Sequence, residues 1–346
     1  MVCGRRAFLR RGAAAGLTTL LLPRSGVAVG TTTPALPLIK PPHLKPGDTV
    51  GLINPVCIAP SSADLRSVTA ALQGLGMNVK IGPHLEASGS DEERAVEVNA
   101  LFEDAAVKAI LPIRGGWGSA RLLPHLDYEA IRCNPKVLMG YSDVSALLLG
   151  IHARTGLVTF HGPMGNSSWV PFTVEQMKRV LFQCEPVKLG NPEDREPDEG
   201  GADGRLHTIV PGRARGRLLG GNLTVVSSIV GSPYLDGGDE LILFLEEVRE
   251  PMSEVSRMLT QLELAGVLHR VRGLVFGQCT RCAPPQANAS LTLDRVLMDQ
   301  VGPLTIPTWR GALIGHIERQ FTLPIGIPVE IDAAEGTIQL LESAVC

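Results

Sequence analysis

The chain has 346 residues, of which 44% are hydrophobic and 19% charged, so its composition is that of a globular protein rather than a disordered one. This length exceeds one typical domain and predicts two. The formal charge of −3 and the aromatic content of 4% argue against a protein that grips nucleic acid through phosphates and stacked bases.

The first 30 residues resemble an export signal. The pair Arg5–Arg6 precedes a short apolar stretch from Ala13 to Leu22, and small residues follow around Ala28. This order is typical of a twin-arginine secretory signal. The alternative, a retained membrane anchor, is disfavoured because about ten apolar residues cannot cross a bilayer core that needs roughly 20. We therefore expect export, and a periplasmic location, without a stable membrane anchor.

An extended lead-in is predicted for residues 31–47, and short apolar runs then alternate with helical patterns. The predicted strands and helices are, in chain order, strand 48–53, helix 65–75, strand 76–81, helix 91–104, strand 107–113 and strand 136–140. Strands that alternate with helices indicate a parallel sheet with crossover helices, and ligands bind at the carboxyl ends of such strands. Residues 48–189 are predicted to form this first domain.

Residues 190–215 are polar for much of their length and are predicted to be a linker. A second α/β domain is predicted over residues 216–346, with strands at 240–245, 271–276 and 328–331 and a helix at 254–265. No internal repeat is evident.

A serine lies at a predicted strand-to-helix turn. Ser142 and Asp143 follow the strand that ends at Gly140, and an apolar helix pattern follows them. Such a turn exposes a serine hydroxyl in front of a helix N-terminus, as in nucleophile elbows, although the usual second glycine of that pattern is missing. The alternative is that Ser142 or Asp143 simply caps the helix.

A glycine-rich segment follows the strand at 107–113. Arg114, Gly116 and Trp117 lie in it, and its glycines allow close backbone approach to a ligand, so that N–H groups could form an oxyanion hole. A tight turn without chemical function is the alternative. A phosphate-binding loop is disfavoured because no Gly-Lys-Ser/Thr follows.

A carboxylate and a histidine complete the candidate set. Glu246 and Glu247 follow an apolar run that we expect to end at the domain surface, either orienting a base or lying solvated at a strand end. His316 is one of eight histidines, and spacing alone does not choose among them.

No metal and no cofactor are predicted. Cys279 and Cys282 have CxxC spacing, but no second pair completes a zinc site, so a disulfide or two ordinary thiols is the preferred interpretation.

The motifs taken together resemble the LD-carboxypeptidase family of serine peptidases, which includes muramoyltetrapeptide carboxypeptidases and microcin C self-immunity peptidases. The matching segments, in the order of the family, are 114–118, 121–123, 134–136, 140–143, 161–164 (His-Gly-Pro-Met), 220–223, 231–234, 243–247 and 323–326. The resemblance covers nearly the whole chain after residue 47.

The resemblance implies a Rossmann-like N-terminal domain, a smaller C-terminal domain and a homodimer. It implies Ser142 as nucleophile, Glu246 as orienting carboxylate and His316 as base, acting on a murein peptide. Glu247 stands where the family commonly has Asp, and Trp117 replaces a common Tyr. The alternatives are a microcin C-type detoxifying peptidase and an inactive peptide-binding homologue.

Overall fold

The computed structural model describes residues 36–82, 85, 89–193, 205–235, 238–282 and 291–346. The predicted export signal lies outside these ranges. The described residues all belong to one compact unit that begins at residue 33.

The first half of the chain builds a sheet from strands that alternate with helices. Its strands are β1 (Thr49–Ile53), β2 (Asn78–Ile81), β3 (Val107–Pro112), β4 (Val137–Gly140) and β5 (Thr159–His161). Its helices are α1 (Ser62–Gly74), α2 (Asp91–Glu103), α3 (Tyr128–Cys133), α4 (Ser145–Thr155) and α5 (Pro171–Leu181). These five strands are parallel to one another, as the alternating pattern predicts.

Local signals start the first two helices where the sequence provides them. Ser61 accepts the N–H of Asp64 at the start of α1, and Ser90 accepts that of Glu93 at the start of α2. In both cases the acidic side chain accepts a hydrogen bond from the backbone N–H of the capping serine, which completes a capping box.

The second half of the chain builds a mixed sheet. Its strands are β6 (Lys188–Gly190), β7 (His207–Val210), β8 (Arg213–Asn222), β9 (Leu241–Val248), β10 (Val271–Thr280), β11 (Thr308–Arg310), β13 (Pro328–Asp332) and β14 (Thr337–Leu340). The helices here are α6 (Leu223–Ser228), α7 (Met252–Leu264) and α8 (Leu293–Gln300). β8 to β11 are parallel and form the centre, and the outer strands pair antiparallel.

One late strand joins the first sheet. β12 (Leu323–Ile325) pairs antiparallel with β5, so the sheet order is β12-β5-β4-β3-β1-β2. The carboxyl-terminal part of the chain therefore supplies the edge strand next to β5.

The structure shows strands inside the segment predicted as a linker. β6 ends at Gly190, β7 lies at His207–Val210 and β8 begins at Arg213. The polar residues of β7 and the start of β8 are half-buried or exposed, which explains why their pattern did not indicate strands. Residues 194–204 lie outside the described ranges.

The helix α4 is buried on nearly all sides, as expected of an apolar helix between layers. At its first residue, the hydroxyl of Ser145 accepts the N–H of Asn222 at 3.1 Å. This contact places the turn before α4 against the end of β8, which neighbours β9.

The CxxC pair forms a disulfide between Cys279 and Cys282 at the end of β10. Among the described residues, no cluster of three or more His, Cys, Asp or Glu side chains is arranged to hold a metal ion. None of the described helices has the length and apolar character needed to cross a membrane.

Candidate active site

Ser142 occupies the strand-to-helix turn that the sequence predicts. It follows β4 and begins a single 3₁₀ turn, Ser142–Val144, that leads into α4. Its φ is +63°, in the left-handed region that non-glycine residues seldom adopt. Backbone strain of this kind is found at functional sites, where the surrounding structure enforces it.

The alternative role of Ser142 and Asp143 as helix caps is not found. α4 begins at Ser145, and neither its N-cap nor that of the preceding turn makes a side-chain capping bond. The Asp143 carboxylate instead accepts the N–H of Ser119 at 2.8 Å, and the Ser119 hydroxyl donates to the Asp143 carbonyl. Ser119 is fully buried, so these two hydrogen bonds, both donated by Ser119, tie the loop after β3 to the serine turn.

The glycine-rich loop passes directly over the serine hydroxyl. A Cβ placed on Gly115 would lie 2.9 Å from Ser142 Oγ, and one on Gly116 would lie 3.0 Å from Ile58 Cδ1. Real Cβ contacts are rarely this short, so a side chain at position 115 would displace Ser142, and one at position 116 would press on Ile58. The loop backbone therefore lies closer to Ser142 than any residue with a side chain would allow.

The rest of this loop presents an aromatic ring and a cation. The Trp117 carbonyl accepts the N–H of Cys57 at 2.9 Å, which anchors the backbone of the loop. The Trp117 side chain is 57% exposed. Arg114 is half-buried, and its Nε donates to the Gly115 carbonyl at 3.3 Å. The Arg114 side chain therefore forms a local hydrogen bond within the loop.

Glu246 and His316 form an ion-pair arrangement although they are far apart in the chain. His316 Nδ1 lies 2.8 Å from Glu246 Oε2, Glu246 is fully buried, and 21% of the His316 side chain is exposed. Gly315 makes this approach possible, because its φ is +115° and a Cβ there would lie 2.6 Å from Glu246 Oε2.

The expectation that the two glutamates lie at a surface strand end is wrong. β9 continues to Val248, and both carboxylates are buried. The reason is that β9 is paired on both sides at this level, with Asn222 of β8 opposite Glu246 and Cys279 of β10 opposite Glu247.

The pairing shifts the pKa values of both partners. Burial alone would raise the pKa of Glu246, but attraction to His316 and the hydrogen bond between them hold it below the usual carboxyl value. Burial opposes charge on His316 as well, yet Glu246 raises the pKa of that imidazole above its ordinary value. Glu246 is thus kept ionised next to an unusually basic histidine.

Glu247 has a different function. Its Oε2 accepts the N–H and the hydroxyl of Thr224, both at 2.8 Å, and its Oε1 accepts the Asn222 amide at 3.1 Å. Burial, followed by repulsion from Glu246, raises the pKa of Glu247. Glu247 therefore anchors the first turn of α6, whereas Glu246 faces the histidine.

Tyr141 connects the two halves of the site. Its ring lies 4.9 Å from the His316 ring, edge to face, and the next residue along the chain is Ser142. No hydrogen bond joins Ser142 and His316 within the described residues. The structure thus brings His316 beside the serine turn and holds it there by Glu246.

Sequence reasoning did not single out two buried residues of this region. Ser119 carried no recognised pattern. His161 lies in the His-Gly-Pro-Met motif that supported the resemblance, but it received no role. The structure buries its ring next to Tyr141 and Phe244.

Two family models match this chain. The LD-carboxypeptidase N-terminal domain matches residues 50–162, and the LD-carboxypeptidase C-terminal domain matches residues 215–331.

Named relatives agree with these matches. The Bacillus subtilis (strain 168) protein named "Probable murein peptide carboxypeptidase" is 35% identical, over 86% of this chain and 93% of its own. The Microcin C7 self-immunity protein MccF of Escherichia coli is 31% identical, over 88% of this chain and 96% of its own.

Solved structures share the fold. MccF in complex with glutamyl sulfamoyl guanosine superimposes with a TM-score of 0.80 at 29% identity, covering 90% of this chain and all of that one. The muramoyltetrapeptide carboxypeptidase from Oxalobacter formigenes gives 0.72 at 26% identity, covering 84% and 97%.

The fold and these likenesses define a hydrolase, a carboxypeptidase of the serine type. The chain belongs to the LD-carboxypeptidase family, as the resemblance of its motifs implied.

Proposed function

We propose that this carboxypeptidase releases the terminal D-alanine from the L,D bond of murein tetrapeptides, through a Ser142–Glu246–His316 triad and an acyl-enzyme. The observation that carries the proposal is the buried Glu246–His316 pair, held beside a serine in a left-handed turn. A murein tetrapeptide carboxypeptidase of Pseudomonas aeruginosa, 29% identical over 78% of this chain, supports the choice of substrate.

The chemistry begins at the histidine. Because His316 Nδ1 faces Glu246, its proton stays on that nitrogen and Nε2 is left as the base. Nε2 takes the proton of Ser142 as Oγ attacks the carbonyl of the L residue. His316 then gives this proton to the departing amine of D-alanine, and water hydrolyses the acyl-enzyme by the same route in reverse.

The negative oxygen of the tetrahedral intermediate needs preorganised donors. The backbone N–H groups of Gly116 and Asp143 are the candidates, since Gly115 brings the glycine-rich loop against Ser142 and the Ser119 hydrogen bonds fix that loop to Asp143. Removal of one such donor typically costs about a hundredfold or more in kcat.

An enzyme that removes one terminal residue must recognise the free carboxylate of its substrate. Arg114 is the cation of the glycine-rich loop, and the exposed Trp117 ring lies three residues further on. We assign Arg114 to the terminal carboxylate and Trp117 to the wall of the peptide site, since charge-assisted hydrogen bonds to a carboxylate are strong and directional.

The proposal is tested with purified protein and a murein tetrapeptide, following by mass spectrometry the loss of one alanine. Ser142→Ala is expected to reduce turnover to background while the unfolding temperature stays near that of the wild type. Ser62→Ala, at an exposed serine at the start of α1, is the matched control and is expected to retain full activity. Undiminished turnover by Ser142→Ala would refute the triad.

A second candidate function is supported by the likeness to MccF. One solved MccF structure holds aspartyl sulfamoyl adenosine and superimposes with a TM-score of 0.80. Cleavage of that compound, without release of alanine from the tetrapeptide, would favour a detoxifying peptidase. Failure to cleave either compound, together with no labelling by a serine-reactive phosphonate, would favour an inactive binding protein.

We also propose export by the twin-arginine route and assembly as a homodimer. The support is the Arg5–Arg6 signal pattern and the family resemblance. Cell fractionation and light scattering address these two points.

A further inference from the structure

His161 lies at the same edge of the first sheet as the candidate nucleophile. It is the last residue of β5, and it pairs with Gly140 of β4 on one side and Leu323 of β12 on the other. Only 1% of its surface is exposed. A histidine this deeply buried at the carboxyl end of a parallel strand requires an explanation.

The ring of His161 faces the strand that carries Glu246. Its centroid lies 5.2 Å from that of Phe244, and Phe244 and Glu246 project from the same face of β9 because alternate residues of a strand share a face. A Cβ on Gly221 would lie 3.9 Å from His161 Cδ2, and the next residue, Asn222, pairs with Glu246. His161 thus lies over the β8–β9 pair at the level of Glu246.

Several buried polar atoms lack hydrogen-bond partners among the described residues, and Nε2 of His161 and Oε1 of Glu246 are among them. The other oxygen of Glu246 is bound to His316, and the neighbouring Asn222 amide, which also helps to lower the pKa of Glu246, donates to Glu247 at 3.1 Å. A buried imidazole nitrogen and a buried carboxylate oxygen are each costly to leave unpaired, and each supplies what the other needs.

We propose that His161 is a positioning residue for Glu246, whose neutral imidazole carries its proton on Nε2 and donates it to Oε1, directly or through one buried water, while His316 holds Oε2. This inference rests on the proposed function only in making Glu246 the carboxylate of the triad. The carboxylate is then held between two histidines, of which only His316 exchanges protons during catalysis.

The electrostatics suit a neutral donor. Burial lowers the pKa of His161 to about 4, so the ring is uncharged at neutral pH and has one N–H to donate. A second donor disperses the charge of Glu246 and fixes the orientation of its carboxylate without adding a positive charge beside His316. The other groups that act on His316 are Glu247, which raises its pKa, and Arg249, which lowers it.

The first test compares His161→Phe with His161→Gln. Phe keeps a ring against Phe244 and Tyr141 but removes the donor, whereas the Gln amide can place an N–H near the position of Nε2. With the murein tetrapeptide, we expect Phe to lower kcat about tenfold to a hundredfold with KM within about twofold, and Gln to restore most of kcat.

The pH profile separates positioning from packing. Without the second donor the Glu246–His316 pair binds a proton more tightly, so the acid limb of kcat/KM is expected to move to higher pH in His161→Phe and back in His161→Gln. A Phe variant with the wild-type kcat and acid limb would overturn the proposal, because a packing role is preserved by the ring.

The second test needs neither a variant nor a substrate. Nitrogen-15 NMR of the histidine side chains in the wild-type protein reports which ring nitrogen of His161 carries the proton. The expected result is a neutral ring protonated on Nε2 across the range from pH 6 to pH 8, and a proton on Nδ1 or a charged ring would refute the inference. If the wild-type enzyme does not cleave the tetrapeptide, the proposed function fails, yet this measurement still decides the role of His161.

Discussion

Replacement of Gly315 by alanine perturbs the site through one methyl group. The new Cβ would lie 2.6 Å from Glu246 Oε2 and 2.9 Å from Glu246 Cβ, well inside normal contact distance. Because Glu246 is fully buried within a paired strand, it has little room to retreat. The carboxylate must shift, and its 2.8 Å contact with His316 is lost or lengthened.

The substitution is expected to lower both the stability of the fold and the catalytic activity, for separate reasons. A left-handed φ costs an L-residue about 1–2 kcal/mol in stability, whatever the surroundings. Loss of a hydrogen bond between charged groups costs about 1.5–3 kcal/mol, which corresponds to roughly tenfold to a hundredfold in kcat/KM if the bond acts in the transition state.

Gly47 provides the matched control for this prediction. Its φ is +92°, and a Cβ there would meet nothing within 4 Å. Gly47→Ala therefore carries the backbone cost alone, and urea unfolding of both variants measures it. We expect both to lose stability but only Gly315→Ala to lose activity on the tetrapeptide. Equal kcat/KM values for the two variants would refute the argument that Gly315 exists to admit the Glu246 carboxylate.

Two further predictions concern His316, the proposed base, and the glycine-rich loop. The buried carboxylate of Glu246 raises the pKa of His316, and a base must be neutral to accept a proton. We therefore expect kcat/KM to fall as pH decreases through a value above the ordinary histidine pKa of about 6.5. A profile that stays flat down to pH 5 would contradict this. Ser119→Ala removes the hydrogen bond from the Ser119 hydroxyl to the Asp143 carbonyl. We expect steady-state kinetics to show kcat lowered about threefold to tenfold, with KM nearly unchanged. A rise in KM alone would show that the glycine-rich loop acts in substrate binding instead.

Local signals made the first sheet and the turn at Ser142 predictable. Apolar runs of strand length alternated with helical patterns, and the turn at Ser142 was visible because a buried strand and an apolar helix flank it directly. The ends of strands were less predictable. β9 includes Glu246 and Glu247 because β8 and β10 pair with it at these positions. The sequence of one strand does not indicate how far its partner strands extend.

The proposed base, His316, could not be found from residue spacing. His316 lies between β11 and β12 in a segment without regular secondary structure, so no periodicity marks it, and its assignment depended on the family resemblance. The role of Ser119 was hidden for another reason. Its two hydrogen bonds to Asp143 join positions 24 residues apart, and only the folded loop shows that they meet.

The pairing of β12 with β5 has a consequence for folding of the enzyme during its synthesis. Until Leu323–Ile325 has emerged, β5 exposes an unsatisfied edge, and His316 has only just been synthesised. An open edge of this kind invites association with other nascent chains. Truncated products that stop short of this strand should therefore be both inert and prone to aggregate, so that the peptidase becomes competent only after β12 has been synthesised.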